Sequence, residues 1–382
     1  MKRIGVVTVA RSDFNYWTPV LHALTEDPNF EPVVIAAAAH LSPRFGNTAD
    51  LIEQAGFTIS ARVPMTEETD DATAIVQSMA RGLEGFAQAY ATLDLDAVAV
   101  LGDRFETHAA AVAAVPLGLP VIHLHGGEET EGAIDNVLRH SITKLASVHC
   151  VAHEVYAQRV RQMGEDPDLV FVTGAPALDL IRAMGEFDLA ALEERVGRPL
   201  AGGFLIGTYH PVTTQPASAK EEATAVLAAL PTEIPTILTM PNADTGGLAI
   251  RAAISEANLP HVIAVENLGA RLYYTGLRHA RAMVGNSSSG ILEAPSFALP
   301  VVNIGDRQAG RMRAPNVIDT DCDREQIRSA IQRALSPEFR GTLNGMTNPY
   351  GDGHAAAKIV EALRQVTWGP ALIRKRFHVV TP

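Results

Sequence analysis

Cysteine is almost absent: the 382 residues hold two, Cys150 and Cys322, far apart and in no C-x-x-C pattern. That is too few for a disulfide scaffold or a cysteine zinc site. Aromatic residues make up only 5%, and positive charge is the minority, with 31 lysines and arginines against 43 aspartates and glutamates and a formal net charge of −12. A balance of that sign argues against a nucleic-acid partner or an anionic membrane surface. It leaves room for a small anionic ligand held by a few local arginines. Long apolar runs are missing too. The longest, 109–122, is broken by Pro116, Gly118 and Pro120 and is too short to span a bilayer. The opening MKRIGVVTVA has a basic start and a short apolar run, but it meets Arg11 and Asp13 with no small-residue cleavage site. It reads as a first strand, not a signal peptide, and the expectation is a soluble, cytoplasmic protein.

What is present is a globular composition, 47% hydrophobic and 19% charged. Its Ala, Val, Leu and Ile excess suits buried parallel strands with helices on both faces. The length suggests two domains. Short β-rich runs at 3–10, 31–39, 97–103, 120–127, 147–152 and 170–174 alternate with helical-period stretches at 71–93, 105–115, 135–145 and 153–163. Gly185, Gly197, Pro199, Gly202 and Gly203 then cluster, marking a boundary and hinge near 174–203. A second series follows, with strands at 204–210, 235–241, 261–266, 282–286 and 300–305 and helices near 217–230, 246–256, 271–280 and 323–334. A last helix at 354–366 follows a turn. The expected fold class is α/β, with two Rossmann-like domains facing across a cleft lined by loops at the strand C-termini. The expected divisions are 1–175, 176–353, and a C-terminal helix and tail, 354–382, that crosses back to the first domain.

No G-x-x-x-x-G-K-[ST] occurs, which excludes a P-loop NTPase. Gly351 to Ala356 mimic a dinucleotide fingerprint but follow a turn, not a strand. The residues that could carry chemistry sit at strand ends. Arg11 could clamp a phosphate bidentately or pair with Asp13. Asp103, after Gly102 and before Arg104, could serve acid/base work or cap the next helix. Between positions 123 and 135 stand two histidines, three glutamates and an aspartate: His123, His125, Glu128, Glu129, Glu131 and Asp135. That density fits general acid/base catalysis or a metal site built on H-x-H. Arg139, at i+4 from Asp135, has a simple helix ion pair as its plain reading. In the second half, His210 ends one strand and Asn242 the next. Gly285-Asn286-Ser287-Ser288-Ser289 opens a helix, the geometry of an anion site, and Glu293 further along could hold a ribose. Arg307 stands after a further strand. A phosphate nest, a diol-binding carboxylate and arginines point to a nucleotide.

These pieces together resemble the UDP-N-acetylglucosamine 2-epimerase family, and specifically its hydrolysing branch from sialic-acid-type biosynthesis. The resemblance is carried by Arg11-Ser12-Asp13-Phe14, His40-Leu41-Ser42 with Phe45-Gly46-Asn47-Thr48, Gly102-Asp103-Arg104-Phe105, His125-Gly126-Gly127-Glu128 through Glu131-Gly132-Ala133-Ile134-Asp135, and Arg139 to Lys144. It continues through His210-Pro211-Val212-Thr213-Thr214, Pro241-Asn242, Gly285 to Ser288 with Glu293, Gly305 to Gln308 and Tyr350 to Gly353, in order over nearly the whole chain. It implies a glycosyltransferase-B-like fold in which UDP binds the second domain and the sugar faces the first. It implies elimination to a glycal and then water addition, releasing UDP and the 2-epimer, with no metal or nicotinamide cofactor. Nucleotide contacts fall to Arg11, His210, Asn242, Ser287, Ser288, Glu293 and Arg307. Asp103 and Asp135 match acid/base positions, and Arg104 and Arg139 match positions that stabilise the substrate or its leaving charge. The implied partner is a small-molecule nucleotide sugar, and the implied assembly a homodimer.

Two departures stand out. Where relatives often carry a glutamate third in an H-x-E run, this chain has His125. Glu128, Glu131 or His125 itself is then left to move the proton. Asn15-Tyr16-Trp17 places bulk beside the presumed sugar. Competing readings are a UDP-sugar glycosyltransferase of the same fold, a metal hydrolase using His123 and His125, and a non-catalytic nucleotide-sugar sensor.

Overall fold

A computed structural model describes residues 1–379 apart from 44–45, 68, 70, 132–133, 213–217 and 242–245. Among the described residues, thirteen strands lie in two sheets. The first holds β1 (Lys2–Thr8), β2 (Phe30–Ala37), β3 (Ile59–Val63), β4 (Ala97–Leu101), β5 (Val121–Leu124), β6 (Val148–Val151) and β7 (Val170–Val172), in the order β3-β2-β1-β4-β5-β6-β7. The second holds β8 (Leu205–Gly207), β9 (Thr236–Thr239), β10 (Val262–Val265), β11 (Ala282–Gly285), β12 (Val301–Ile304) and β13 (Val317–Thr320), in the order β10-β9-β8-β11-β12-β13. Every pairing is parallel. Parallel strands covered on both faces read as near-continuous apolar runs, and AVAVL of β4 and VIHL of β5 are such runs.

Side chains alternate between two core layers with the period of two that a strand imposes. From β1, Ile4 and Val6 enter one layer, where Trp17, Val20, Leu21 and Leu24 of helix Arg11–Glu26 meet Ile359, Val360 and Leu363 of helix Ala355–Gln365. From the same strand, Val7 enters the opposite layer, with Phe86, Tyr90 and the alanines of helix Phe105–Ala114. Each such large apolar side chain contributes about 1.5–3 kcal/mol on burial. The second sheet has its own core, built from Leu205, Val226, Leu238, Ile250, Val284, Ile304, Ile327 and their neighbours.

The chain forms two compact units. One comprises Met1–Glu128, Asp135–Leu180 and Tyr350–Pro382, the other Glu129–Ile134 and Ile181–Pro349. The return to the first unit is anchored chemically. The Tyr350 hydroxyl bonds that of Tyr156 at 2.8 Å, and its carbonyl accepts the Ala175 N–H at 2.8 Å. Asp179 accepts the N–H groups of Ala355 and Ala356, both at 2.9 Å, so a carboxylate seals the start of the C-terminal helix.

Several elements depart from the sequence reading, and three of them carry a physical reason. Strands β3 and β13 were not expected. Both lie at sheet edges, and only two residues of β3 and one of β13 are buried, which leaves no apolar run to read. Helix Arg11–Glu26 was not expected either. Asn15, Tyr16, Trp17 and Thr18 are indifferent helix formers and Pro19 lies in its interior. Packing of Trp17 and the leucines overrides propensity.

In each sheet the strand order reverses beside the first strand of the series, between β1 and β4 and between β8 and β11. Open α/β sheets bind ligands outside the carboxyl ends of the strands at such switch points. The polar residues singled out by sequence follow those strands or their neighbours.

Candidate active site

In the first unit, β4 leaves through Gly102 into Asp103 and Arg104, and β5 leaves through His123, Leu124 and His125. His123 is wholly buried. Its Nε2 lies 2.7 Å from the Gly102 carbonyl and therefore donates to it, and its Nδ1 lies 3.2 Å from the Thr143 hydroxyl. Burial drives its pKa down to about 3, against the carbonyl bond and with the like charge of neighbouring basic groups, so the ring is neutral. Through Nε2 and the Gly102 carbonyl, His123 joins two strand exits. Among the described residues no three His, Cys, Asp or Glu side chains form a metal-binding group.

His125 differs. It occupies the left-handed region, φ 63°, which a β-carbon makes costly. Its Nδ1 lies 2.5 Å from Glu128 Oε1, and both residues are buried. A carboxylate only accepts, so Nδ1 donates, and in the neutral ring Nε2 is the nitrogen with the lone pair. Nε2 is buried and has no hydrogen-bond partner among the described residues. The turn that makes this possible depends on Gly127, with φ 74°, where a β-carbon would lie 2.6 Å from the Tyr156 carbonyl oxygen. The edge of the Tyr16 ring meets His125, centroids 5.9 Å apart.

Arg139, 1% exposed, completes the cluster. It pairs with Asp103, lies 3.3 Å from Glu128 Oε2 and donates to the His125 carbonyl at 3.2 Å. A buried guanidinium set against two carboxylates is the pairing that makes such burial tolerable. Helix Asp135–Leu145 carries it, with half-buried Asp135 at the helix start. Arg139 reaches across to Asp103 and Glu128. One plain reading of the sequence is corrected: Asp103 is not the helix cap, because helix Phe105–Ala114 takes Arg104 in that position. Arg104 makes a two-pronged bond to the buried Glu106, at 3.1 and 2.9 Å.

At the β1 exit, Arg11 is exposed at the start of its helix. Asp13 turns to the backbone, accepting the Val9 and Ala10 N–H groups at 2.9 and 2.6 Å. Burial raises its pKa to about 6 despite those bonds. His40 bridges the Thr8 and Thr48 hydroxyls at 2.9 and 2.8 Å, and burial lowers it to about 4. Trp17, expected beside the sugar with Tyr16, is a core residue, whereas Tyr16 reaches the His125 cluster.

In the second unit, Asn286 after β11 is wholly buried and clamps the β8 exit. Its Oδ1 accepts the His210 N–H at 2.7 Å and its Nδ2 donates to the His210 carbonyl at 2.8 Å. The strands come so close that a β-carbon at Gly285, φ 143°, would lie 2.2 Å from the Thr208 carbonyl oxygen. The Asn286 carbonyl accepts from Arg307 at 3.2 Å and from Gln308 at 2.9 Å. One wholly buried residue, through its side-chain amide and its backbone carbonyl, thus gathers His210, Arg307 and Gln308, and sequence reasoning passed over it as part of a serine motif. Ser287 and Ser288 are half-buried, and the Ser287 hydroxyl accepts the Ser289 N–H at 3.3 Å. The helix they open is one turn, Ser289–Leu292, so a macrodipole argument has little to act on there. Glu293 is buried near Tyr273 and Tyr274, whose hydroxyls are pushed up by burial and then by its charge. Asn242 lies outside the described residues.

The acidic run is divided. Glu128 and Asp135 belong to the first unit, whereas Glu129 and Glu131 belong to the second. The Glu131 N–H donates to the Ala309 carbonyl at 3.4 Å, and a β-carbon on Gly310 would lie 2.4 Å from that of Glu129. Exposed Glu131 therefore lies beside the Arg307–Gln308 loop of its own unit.

Two parallel sheets with polar clusters at their switch points fit an α/β enzyme of nucleotide sugars. The model of the UDP-N-acetylglucosamine 2-epimerase family matches residues 22–364, and the chain belongs to that family. It is 35% identical over 344 residues, 89% of each chain, to the GDP/UDP-N,N'-diacetylbacillosamine 2-epimerase (hydrolyzing) of Campylobacter jejuni. It is 34% identical to the UDP-N,N'-diacetylbacillosamine 2-epimerase (hydrolyzing) of Legionella pneumophila, covering 98% of this chain and 99% of that one. The crystal structure of UDP-GlcNAc 2-epimerase from Neisseria meningitidis bound to UDP-GlcNAc superposes with a TM-score of 0.82 at 18% identity, over 96% of this chain and 100% of that one. That likeness shows the α/β, glycosyltransferase-B-like fold.

Proposed function

We propose that this chain is a hydrolysing 2-epimerase of UDP-acetamido sugars, taking UDP-N-acetylglucosamine or a diacetamido relative to the free 2-epimer and UDP. The observation that carries the reading is His125: a strained residue at a strand exit, its Nδ1–H tied to buried Glu128 and its buried Nε2 open. In the proposed cycle Nε2 takes the proton from C2, and the C1–O bond breaks with its electron pair leaving on UDP. The C1=C2 double bond of a glycal results. Water then adds at C1 and a proton returns to C2 on the opposite face, giving the 2-epimer. Asp103 and Asp135 are the acids assigned to that second half. Arg139, committed to Asp103 and Glu128, orders the carboxylates instead of gripping the leaving group. The nucleotide falls to the second unit, to His210, Ser287, Ser288, Glu293, Arg307 and Asn242, with Arg11 of the first.

Both thiols are free, in keeping with a reducing, cytoplasmic setting, and no helix among the described residues is long and apolar enough to cross a membrane. A homodimer is part of the proposal, supported by exposed Val76 and Leu83 on helix Ala72–Thr92. A free acetamido sugar of this type would feed sialic-acid-like sugar biosynthesis.

The test is turnover of UDP-N-acetylglucosamine and its 2,4-diacetamido analogue in deuterated water, followed by NMR. Free UDP and a 2-epimer carrying deuterium at C2 are expected. Product without deuterium at C2 defeats the elimination route, and UDP release that waits for an added acceptor indicates glycosyl transfer.

A further inference from the structure

The C-terminal tail, far along the chain from the His125 cluster, is tied to the helix that carries Arg139. Lys375 donates to the carbonyl oxygens of Lys144 and Ala146 at 2.7 and 2.5 Å. Lys144 lies in the last turn of helix Asp135–Leu145, where carbonyls have no partner within the helix and a cation is favoured. The same ammonium lies 2.6 Å from Glu165, a buried carboxylate that also receives Lys144 at 2.5 Å and His149 at 3.0 Å. Beyond Lys375 the tail stays seated. The Phe377 ring covers Gly164, where a β-carbon would lie 2.5 Å from it, Lys144 sits 5.3 Å from the ring centre, and the His378 N–H donates to the Gly164 carbonyl at 3.0 Å.

The other end of that helix is the active-site end. Arg139 is five residues from Lys144, about 7.5 Å along the axis. Thr143 sits between them, its hydroxyl 3.0 Å from the Arg139 carbonyl and 3.2 Å from His123 Nδ1. A helix held at its last carbonyls cannot slip or unwind from that end. We propose that Lys375 is a positioning residue: it fixes the end of helix Asp135–Leu145 and so keeps Arg139 seated against Asp103, Glu128 and the His125 carbonyl. The proposal rests on the reading of that cluster as catalytic. Nothing in it requires Lys375 to touch substrate, so it acts on the rate of the bound complex and not on nucleotide affinity.

The experiment compares full-length wild type with Lys375→Met, Lys375→Arg and Lys144→Met, by steady-state UDP release and by amide hydrogen exchange without substrate. Lys375→Met is expected to lower kcat about tenfold with KM held within about twofold, since a displacement well under 1 Å already costs that much. Amides at 142–146 should exchange faster. Lys375→Arg, which can still donate to both carbonyls, should recover most of the rate. Lys144→Met, which removes a cation from Glu165 but spares the carbonyl bonds, should keep it. Unchanged kcat in Lys375→Met overturns the proposal whatever exchange shows, as does an equal loss in Lys144→Met. If Lys375→Met fails to fold, Phe377→Ala takes its place, and a loss of kcat at constant KM is again required. A wild type that turns over neither sugar defeats the functional reading itself; the exchange comparison still judges the strap, and unchanged protection overturns it.

Discussion

Replacing Glu128 by glutamine removes one charge and no volume. In the wild type one oxygen takes the His125 Nδ1–H at 2.5 Å and the other faces Arg139 Nη1 at 3.3 Å. The amide can satisfy only one of them. With its oxygen toward His125, its NH2 confronts the guanidinium, donor against donor. Flipped, it offers N–H to Nδ1, which forces the ring proton onto Nε2 and closes the base. The lower bound on the cost is the difference between a charge-assisted and a neutral hydrogen bond, about 1–2 kcal/mol. The upper bound is the full attraction between imidazolium and carboxylate, about 4 kcal/mol at an effective dielectric of 20. Proton transfer is incomplete in the transition state, so the working value lies between them, and kcat should fall about 10²-fold. KM should change little. Steady-state UDP release from Glu128→Gln, His125→Asn and the double variant measures it. The two singles should lose comparable amounts, and the double scarcely more, because the pair acts as one unit. A kcat for Glu128→Gln within about threefold of wild type would refute the dyad, since even the lower bound on the cost exceeds that.

Asp103→Asn and Asp135→Asn should each lower kcat on the order of 10²–10⁴-fold with UDP affinity, read by calorimetry, nearly unchanged. Ser288→Ala and Arg307→Ala should instead raise KM and weaken UDP binding at near-constant kcat, and the reverse division would show the two units' roles exchanged. Stability should fall in mild acid. His40 and His123, held at about 4 and 3, stay neutral in the fold while the unfolded chain takes up protons below 6.5. Going from pH 7 to pH 5 therefore removes about 2 kcal/mol for each. Asp13, raised to about 6, protonates in the fold before it does so unfolded and returns about 1.4 kcal/mol. Denaturant unfolding at the two pH values should show a net loss of about 2–3 kcal/mol, and equal stability at both would contradict the burial of these rings.

The two sheets were legible because parallel strands buried on both faces leave runs of Val, Ile and Ala that alternate with helical periods. What escaped was whatever tertiary packing imposes against local preference. Helix Arg11–Glu26 carries Pro19 and weak formers, yet Trp17 and Leu21 are wholly buried in it. Strand β3 buries only its two ends. In the site, residue types were readable but pairings were not. Arg139 at i+4 from Asp135 suggests a local ion pair, but its pairing with Asp103 and Glu128, from two other strand exits, leaves no mark in the spacing. Asn286, wholly buried, was invisible as the clamp on His210, because a side chain that bonds backbone leaves no pattern in sequence.

The acidic run shows why density alone misleads. Positions 128–135 read as one catalytic patch, but the residues divide between the two units. Gly127 in its left-handed turn directs Glu128 inward onto His125, and the next residues leave for the Ala309–Gly310 loop before Asp135 returns to begin a helix. Glu128 gains a buried partner, His125, whose other nitrogen has no hydrogen-bond partner among the described residues. The substitution of histidine for the glutamate often found in the H-x-E run then has a physical account. A carboxylate at position 125 would stand beside Glu128 in the same buried space, two like charges sharing one guanidinium. An imidazole turns that repulsion into a hydrogen bond and leaves a nitrogen free for the proton. His125→Glu should therefore be no rescue of His125→Asn, and should gain activity only when Glu128 is replaced by glutamine as well.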